Sequence, residues 1–501
     1  MRFTALSLLA ALPWFFVSHS EPKGAVLGSE ITLTVVLLMI GGVAWAWMYL
    51  RREKLLLVDR SFERALRLGM IIATLGSVWN SGGRVYYPAL EDDYFRYRWD
   101  AQVSLSGGSV YALPPSAIQH EVVRNFGASS EQLRQQVSYA DFRTPYPPGA
   151  QWILSSIEWV QQRLPGEAST PRFLALLGLL SAVILWLCLR YAGFPGNIRD
   201  NIGGQTPERG ALVDLILLNP LLQYEWIHTG HFDGWMSALV VVAIGSIVPG
   251  SSDQKRKAPS LPRIFSAGVA IGFASLIKWT AVLTLPLFGI GIWVWTRGSS
   301  SFRQFLRHSG ILMLGALLPW LVWVGLRPSE PALLWSALVE FSQDWEMNSG
   351  LVRWIRSALY GSIDRGLSLT DESVSNLPKG LVTLAFGVAY LLIAREWMRG
   401  RSSLVSSVIA TLWLLPLLSP ISNPWYFLWC LPLLMSLPTS SRIHPLITYS
   451  LIVLPLSLTF WHPGLQEHQA FLMYWNLEHL VLWSLGFGFV VARGRSYSMG
   501  V

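Results

Sequence analysis

The chain has 501 residues, 52% of them hydrophobic and only 14% charged, whereas a soluble globular chain carries roughly a quarter charged residues. Its net charge of +8 invites a nucleic-acid partner, but the basic residues sit in short loops between apolar runs, which argues against one. The two cysteines, Cys188 and Cys430, lie inside apolar runs without metal-ligand spacing, so they read as packed small residues.

The apolar residues come in blocks. Runs such as "ITLTVVLLMIGGVAWAWMYL" (31–50) and "FLALLGLLSAVILWLCLRYAG" (173–193) are nearly free of charge and of membrane-spanning length. A bilayer core has no water to satisfy free backbone groups, so these runs must be helical. The pattern predicts an all-α polytopic membrane protein with about 14 spans. They fall near 3–19, 31–50, 62–80, 171–191, 210–227, 233–249, 264–278, 281–296, 309–326, 378–394, 404–420, 424–438, 444–460 and 476–492. The first reads alternatively as a cleaved signal peptide, with Arg2, a short apolar core and small residues at Ser18 and Ser20, which leaves about 13 spans. Either start leaves Glu21 outside.

The loops set the orientation. One side holds "RREKLLLVDRSFERALR", "GNIRDNIGGQTPERG", "SSDQKRKAPSLPR", "TRGSSSFRQFLRH", "REWMRGR" and "RGR", and that whole side counts about 23 Lys and Arg against about 7 acids. Basic loops stay cytoplasmic, so the acidic side faces outward. The chain then divides into leading spans (1–80), an exoplasmic loop (81–170), a transmembrane core (171–326), a second exoplasmic loop (327–377) and C-terminal spans (378–501). The expected location is the cell (inner) membrane, with function on the exoplasmic or periplasmic face.

The 81–170 segment is too long for an idle connection. Within it, Trp152, Ile153, Ile157, Trp159 and Val160 recur at roughly helical spacing among polar Gln151, Glu158 and Gln161. This predicts a helix lying in the interface, started by Pro147-Pro148. The 25 tryptophans suit two broad interfacial belts. No Gly-rich nucleotide loop follows a predicted strand anywhere in the chain.

Five outward pieces concentrate polar residues: "EDDYFRYRWD" (91–100), "YPPGAQ" (146–151), "HTGHFDG" (228–234), "FSQDWEMNSGLVRW" (341–354) and "SNPWYF" (422–427). Lys278, in "SLIKWTA", adds a lone cation between apolar runs. These stretches resemble the signatures of glycosyltransferase C membrane enzymes, above all bacterial mannosyltransferases that use polyprenyl-phosphate sugars. Asp92-Asp93 with Tyr94, Arg96, Tyr97 and "WD" is similar to their acidic motif. "GHFDG" resembles their Gly-His-Asn-Asp-Gly turn, with Phe232 as the departure, and "WEMNS" and "NPWY" resemble later motifs. The likeness covers most of residues 80–430.

The resemblance implies transfer of a mannose-like sugar from a polyprenyl-phosphate donor to a hydroxyl of a glycan or lipid-linked acceptor, with inversion. An alcohol needs its proton removed as bonding begins. The family's first carboxylate has that role, which falls on Asp92, while Asp93 would orient the acceptor or share a divalent metal. Adjacent acids also raise each other's proton affinity. Arg96, Lys278 and Arg353 (with Arg356 nearby) are candidates to meet the leaving phosphate. Tyr146, Gln151, His231, Asp233, Trp345, Asn348, Asn423, Trp425 and Tyr426 are the candidate substrate contacts.

Each residue has a plainer alternative. Asp92 and Asp93 could mark a solvated boundary, Asp233 could cap a helix, and Lys278 could snorkel to the interface. His228, His231 and Asp233 have a spacing that could hold a divalent metal, with a hydrogen-bonded turn as the simpler reading. Trp345 could be an interfacial anchor, and Asn423-Pro424 a turn. For the whole chain the alternatives are a transporter or flippase of a lipid-linked sugar, or a scaffold. Acids crowded on one face, rather than at the midplane, argue against transport.

Overall fold

The computed structural model describes residues 19–20, 44–45, 48, 60–82, 87–88, 92–118, 130–191, 209–248, 259–296, 302–344, 350–363, 371–421 and 423–435. These are helical apart from short connections and one two-residue strand pair, β1 (His19–Ser20) with β2 (Tyr87–Pro88), antiparallel with Ser20 opposite Tyr87. In order come α1 (Arg60–Gly82), α2 (Asp93–Leu105), α3 (Ser130–Gln136), α4 (Pro148–Gln161) and α5 (Thr170–Tyr191). Then follow α6 (Arg209–Leu217), α7 (Pro220–Leu222), a π-helical turn (Gln223–His228), α8 (Asp233–Ile247) and α9 (Leu261–Ile277). A 3₁₀ turn (Trp279–Thr284) leads into α10 (Leu285–Thr296), α11 (Phe302–Leu326), α12 (Glu330–Asp344), α13 (Gly350–Ile363) and α14 (Asp371–Met398). Last are α15 (Leu404–Leu417), a 3₁₀ helix (Pro424–Cys430) and α16 (Leu431–Met435).

Helical structure occupies the third to twelfth expected spans. The thirteenth and fourteenth, and nearly all of the first and second, lie outside the described residues. Among the described residues four helices are long and apolar enough to cross a membrane: 170–190, 279–296, 302–326 and 376–398. The pair Pro220–His228 and Asp233–Ile247, bent by 113°, makes a fifth. The count of fourteen is therefore not reached among the described residues. Leu314, Leu317, Leu321 and Val322 of α11, and Leu384, Val388 and Leu391 of α14, are exposed, as side chains facing lipid would be.

α9 and α11 cross closely. A methyl on Gly268 or Gly272 would run into the carbonyls of Leu312 and Ala316, and one on Gly315 would sit 2.5 Å from the Phe265 carbonyl. Small residues let two backbones approach this closely, and dispersion then holds them. Gly268→Ala must push the helices apart, so about 1–3 kcal/mol of stability should be lost. A lower midpoint in a detergent thermal-unfolding scan would register it.

The helix expected over the Pro147-Pro148 segment forms as α4, and its polar residues turn inward. Gln151, Leu154, Ile157, Glu158 and Gln161 are buried, while Trp152, Trp159 and Val160 are exposed. The reason is α2, whose Arg98 and Gln102 supply partners: Arg98 Nε lies 3.4 Å and Gln102 Nε2 3.1 Å from the Glu158 carboxylate. Gln161 also donates to Glu158, and Ser130 of α3 donates to Gln102 at 2.9 Å. Arg98 further reaches Thr170 Oγ1 and the Ala168 carbonyl. A charge can be buried where it is paired and its remaining positions are bonded. This network locks α2 against α4 and the start of α5.

Candidate active site

Five pieces of chain meet at one end of the bundle: the start of α2, the approach to α4, the turn before α8, the end of α9, and the 3₁₀ helix Pro424–Cys430. Asp92 precedes α2 and is exposed, its Oδ2 accepting from Ser138 Oγ. Asp93 opens the helix with its side chain 32% exposed. Its Oδ2 accepts from the Tyr146 hydroxyl at 3.1 Å and lies 4.0 Å from His231 Nε2. The Tyr146 carbonyl accepts from Tyr111 at 2.9 Å. Burial pushes the Tyr111 hydroxyl well above its ordinary value, with Glu330 and Asp100 adding to it, so Tyr111 stays a donor.

Local chemistry explains how these pieces come to meet. Gly149 packs flush on the end of α9, where an added methyl would lie 2.8 Å from the Leu276 carbonyl. That contact brings the start of α4 beside Lys278. The π-helical turn ends at His228, whose Nδ1 lies 3.3 Å from the Ser77 carbonyl of α1. Gly230 then takes φ +79°, a left-handed conformation that costs glycine little, and reverses the chain into α8. Phe232 fills the space between Tyr97 and Tyr146, with ring centroids 5.1 and 5.3 Å away.

A second cluster adjoins the first. Lys278 Nζ lies 3.2 Å from Asp233 Oδ1, which also accepts from Trp429 Nε1 at 2.7 Å. The ammonium sits 4.7 Å from the Tyr426 ring centroid, and Tyr426 stacks on Trp429 at 4.5 Å. Asp93 acts electrostatically on both Lys278 and Tyr426, which ties the clusters together. The Asn423 carbonyl accepts from the Tyr426 amide at 3.0 Å. Trp425 stacks on His231 at 4.0 Å with 25° between the planes.

The plainer readings fare unevenly here. Asp233 makes no capping bond: Phe232 holds the N-cap position, and the carboxylate turns to Lys278 and Trp429. Lys278, with its side chain 16% exposed, is folded onto Asp233 rather than extended to the interface. Asn423 does sit at a turn, opening the 3₁₀ helix without a capping bond. Among the described residues no group of three or more His, Cys, Asp or Glu is placed to hold a metal ion, and His228 and His231 turn to different partners.

Asp92, Asp93, Tyr146, His231, Asp233, Lys278, Asn423, Trp425 and Tyr426 thus come together. Arg96 is buried against Asp100 at 2.9 Å, and Gln151 bonds the other oxygen of Asp100 at 3.1 Å, one layer behind Asp93. Trp345 and Asn348 lie outside the described residues, as does the side chain of Arg353. Reasoning from sequence missed Trp429, Tyr111, Ser138 and Glu225 as neighbours of the site. Only Glu225 left a signal, as an acid inside an apolar run.

Comparison with known proteins identifies the family. The family profile described as alpha-(1->6)-mannopyranosyltransferase, N-terminal domain, matches residues 8–297, which contain both acids, the Gly230 turn and Lys278. No curated protein and no solved structure gave a match. With more than half of its length matched, the chain belongs to the alpha-(1->6)-mannopyranosyltransferase family and is a membrane glycosyltransferase.

Proposed function

We propose that the enzyme moves a mannosyl group from a polyprenyl-phosphate donor to an acceptor hydroxyl in one inverting displacement at the outer face of the cell membrane. The observation that carries this reading is the meeting of Asp93, Tyr146 and His231 with the Lys278–Asp233 pair at one end of the bundle. One side of that pocket offers carboxylates to an alcohol, and the other offers a cation to a leaving phosphate. The reaction needs both. The basic loops on the opposite side support an outward-facing site. A donor carried on a lipid can enter sideways between spans, with its head group beside Lys278.

The family resemblance assigns the proton to Asp92. The surroundings favour sharing the work differently: Asp93 is braced by Tyr146 and faces His231, while Asp92 looks to solvent and Ser138. We assign proton removal to the acidic pair with Asp93 as the group at the reacting oxygen, and acceptor orientation to Asp92. Tyr426 and Trp429 flank the phosphate position.

Inversion has a stereochemical consequence. The family's α linkage can arise in one displacement only from a β-linked phosphomannose. Purified enzyme with synthetic polyprenyl β-phosphomannose and an alkyl mannoside should therefore give an α-linked disaccharide, with no product from the α-phosphate donor. Mass spectrometry and anomeric proton couplings read both results, and turnover of the α donor would overturn the inverting assignment.

A further inference from the structure

The π-helical turn carries a buried acid that the reaction outlined above leaves without a task. Glu225 is 1% exposed, and its Oε2 lies 3.3 Å from His231 Nδ1. The same nitrogen is 3.2 Å from the Glu225 carbonyl and 2.8 Å from Thr229 Oγ1. Thr229 has one hydroxyl proton, which it donates to the Glu225 carbonyl at 2.8 Å, so toward His231 it can only accept. With Glu225 ionised, these three neighbours of Nδ1 are acceptors, which favours the tautomer that carries its proton on Nδ1. The opposite nitrogen, Nε2, faces Asp93 Oδ2 at 4.0 Å. Stacking on Trp425 and an edge contact with Tyr97 at 6.2 Å fix the ring plane.

The local backbone exists to make this possible. A π turn carries extra residues per turn, and such turns gather at functional sites. Here it turns the Glu225 carbonyl to receive the His231 amide at 3.0 Å while its carboxylate folds onto the same imidazole. The charged and titratable groups facing this imidazole include Glu225 of the π turn and Asp93 and Tyr97 of α2; Asp233 acts electrostatically on Glu225, and Lys278 pairs with Asp233.

We propose that Glu225 is a positioning residue that holds His231 in its Nδ1–H form, so that Nε2 accepts the proton Asp93 has taken from the sugar acceptor. This rests on the proposed role of the acidic pair. As the acceptor oxygen bonds to C1, the C1–O bond to phosphate breaks and its electron pair leaves with the phosphate. The acceptor's proton goes to Asp93, then to His231 Nε2, where the Glu225 carboxylate balances the imidazolium. Loss of that proton to water restores the starting state. The 4.0 Å gap must close to hydrogen-bond length in the complex, as such contacts commonly do.

The test uses full-length enzyme in detergent with polyprenyl β-phosphomannose and an alkyl mannoside. Glu225→Gln keeps an acceptor for Nδ1–H but cannot balance an imidazolium, so kcat should fall about tenfold or more with KM within about twofold. In a His231→Gln background the same change should cost nothing further, because the two residues act as one unit. Thr229→Val, which removes an oxygen from Nδ1 without touching charge, should lower kcat several-fold and serves if Glu225→Gln fails to fold. Unchanged kcat in the folded variants, or equal losses with and without His231, would overturn the proposal. Full activity in Asp92→Asn and Asp93→Asn would instead sink the reading of the acids, a separately visible failure.

Discussion

Asp93→Asn should lower mannosyl transfer by about 10²- to 10⁴-fold, the range that a positioned general base supplies. The substitution keeps the shape and an acceptor oxygen for the Tyr146 hydroxyl, which now bonds Asp93 at 3.1 Å. It removes the negative charge that can take a proton. Because donor binding rests on the other side of the pocket, KM for the phosphomannose donor should move little while kcat falls. Asp92→Asn should cost less, about tenfold, since Asp92 faces solvent and Ser138 rather than His231. Steady-state rates for the two variants side by side decide the order of roles. A larger loss at Asp92 would return proton removal to the first carboxylate.

Lys278→Met is expected to be damaging twice over. The Lys278 ammonium lies 3.2 Å from Asp233 Oδ1, and the Asp233 side chain is only 2% exposed. Removing the cation leaves a buried carboxylate with the Trp429 N–H as its main remaining support. Breaking a buried pair by deleting one member typically costs about 3–5 kcal/mol. Transfer should also drop by about 10²- to 10³-fold if the ammonium meets the departing phosphate. The double change Lys278→Met with Asp233→Asn separates the two losses. It removes the stranded charge, so thermal stability should largely return while activity stays low. Recovery of activity along with stability would show Lys278 to be a structural partner only.

Much of the architecture was legible in the chain, for a simple reason. A membrane-crossing helix is specified by its own residues, because length and apolarity decide it, and α5, α11 and α14 sit where the apolar runs placed them. The gathering of Asp93, His231 and Lys278 was legible more indirectly, through loops sharing one face. What sequence could not show were choices made by partners distant in the chain. Gln151 and Glu158 read only as polar residues of an interfacial helix, and the fold brings Asp100 to the first and Arg98 and Gln102 to the second. Arg96 looked available to a phosphate, but Asp100 lies one turn further along the same helix and takes it. Lys278 looked like a cation at a membrane boundary, and only the fold brings Asp233, Tyr426 and Trp429 around it.

The order in which these pieces leave the ribosome matters for how the enzyme is made. Asp233 and Lys278 are synthesised well before Tyr426 and Trp429, the aromatic pair that packs on them. A nascent chain must therefore hold two opposite charges in or near the bilayer, neutralising each other, until the last third arrives to close over them. Truncation before residue 424 should leave a protein able to insert but unable to retain the pocket. Late-born helices would then act as the step that switches the enzyme on.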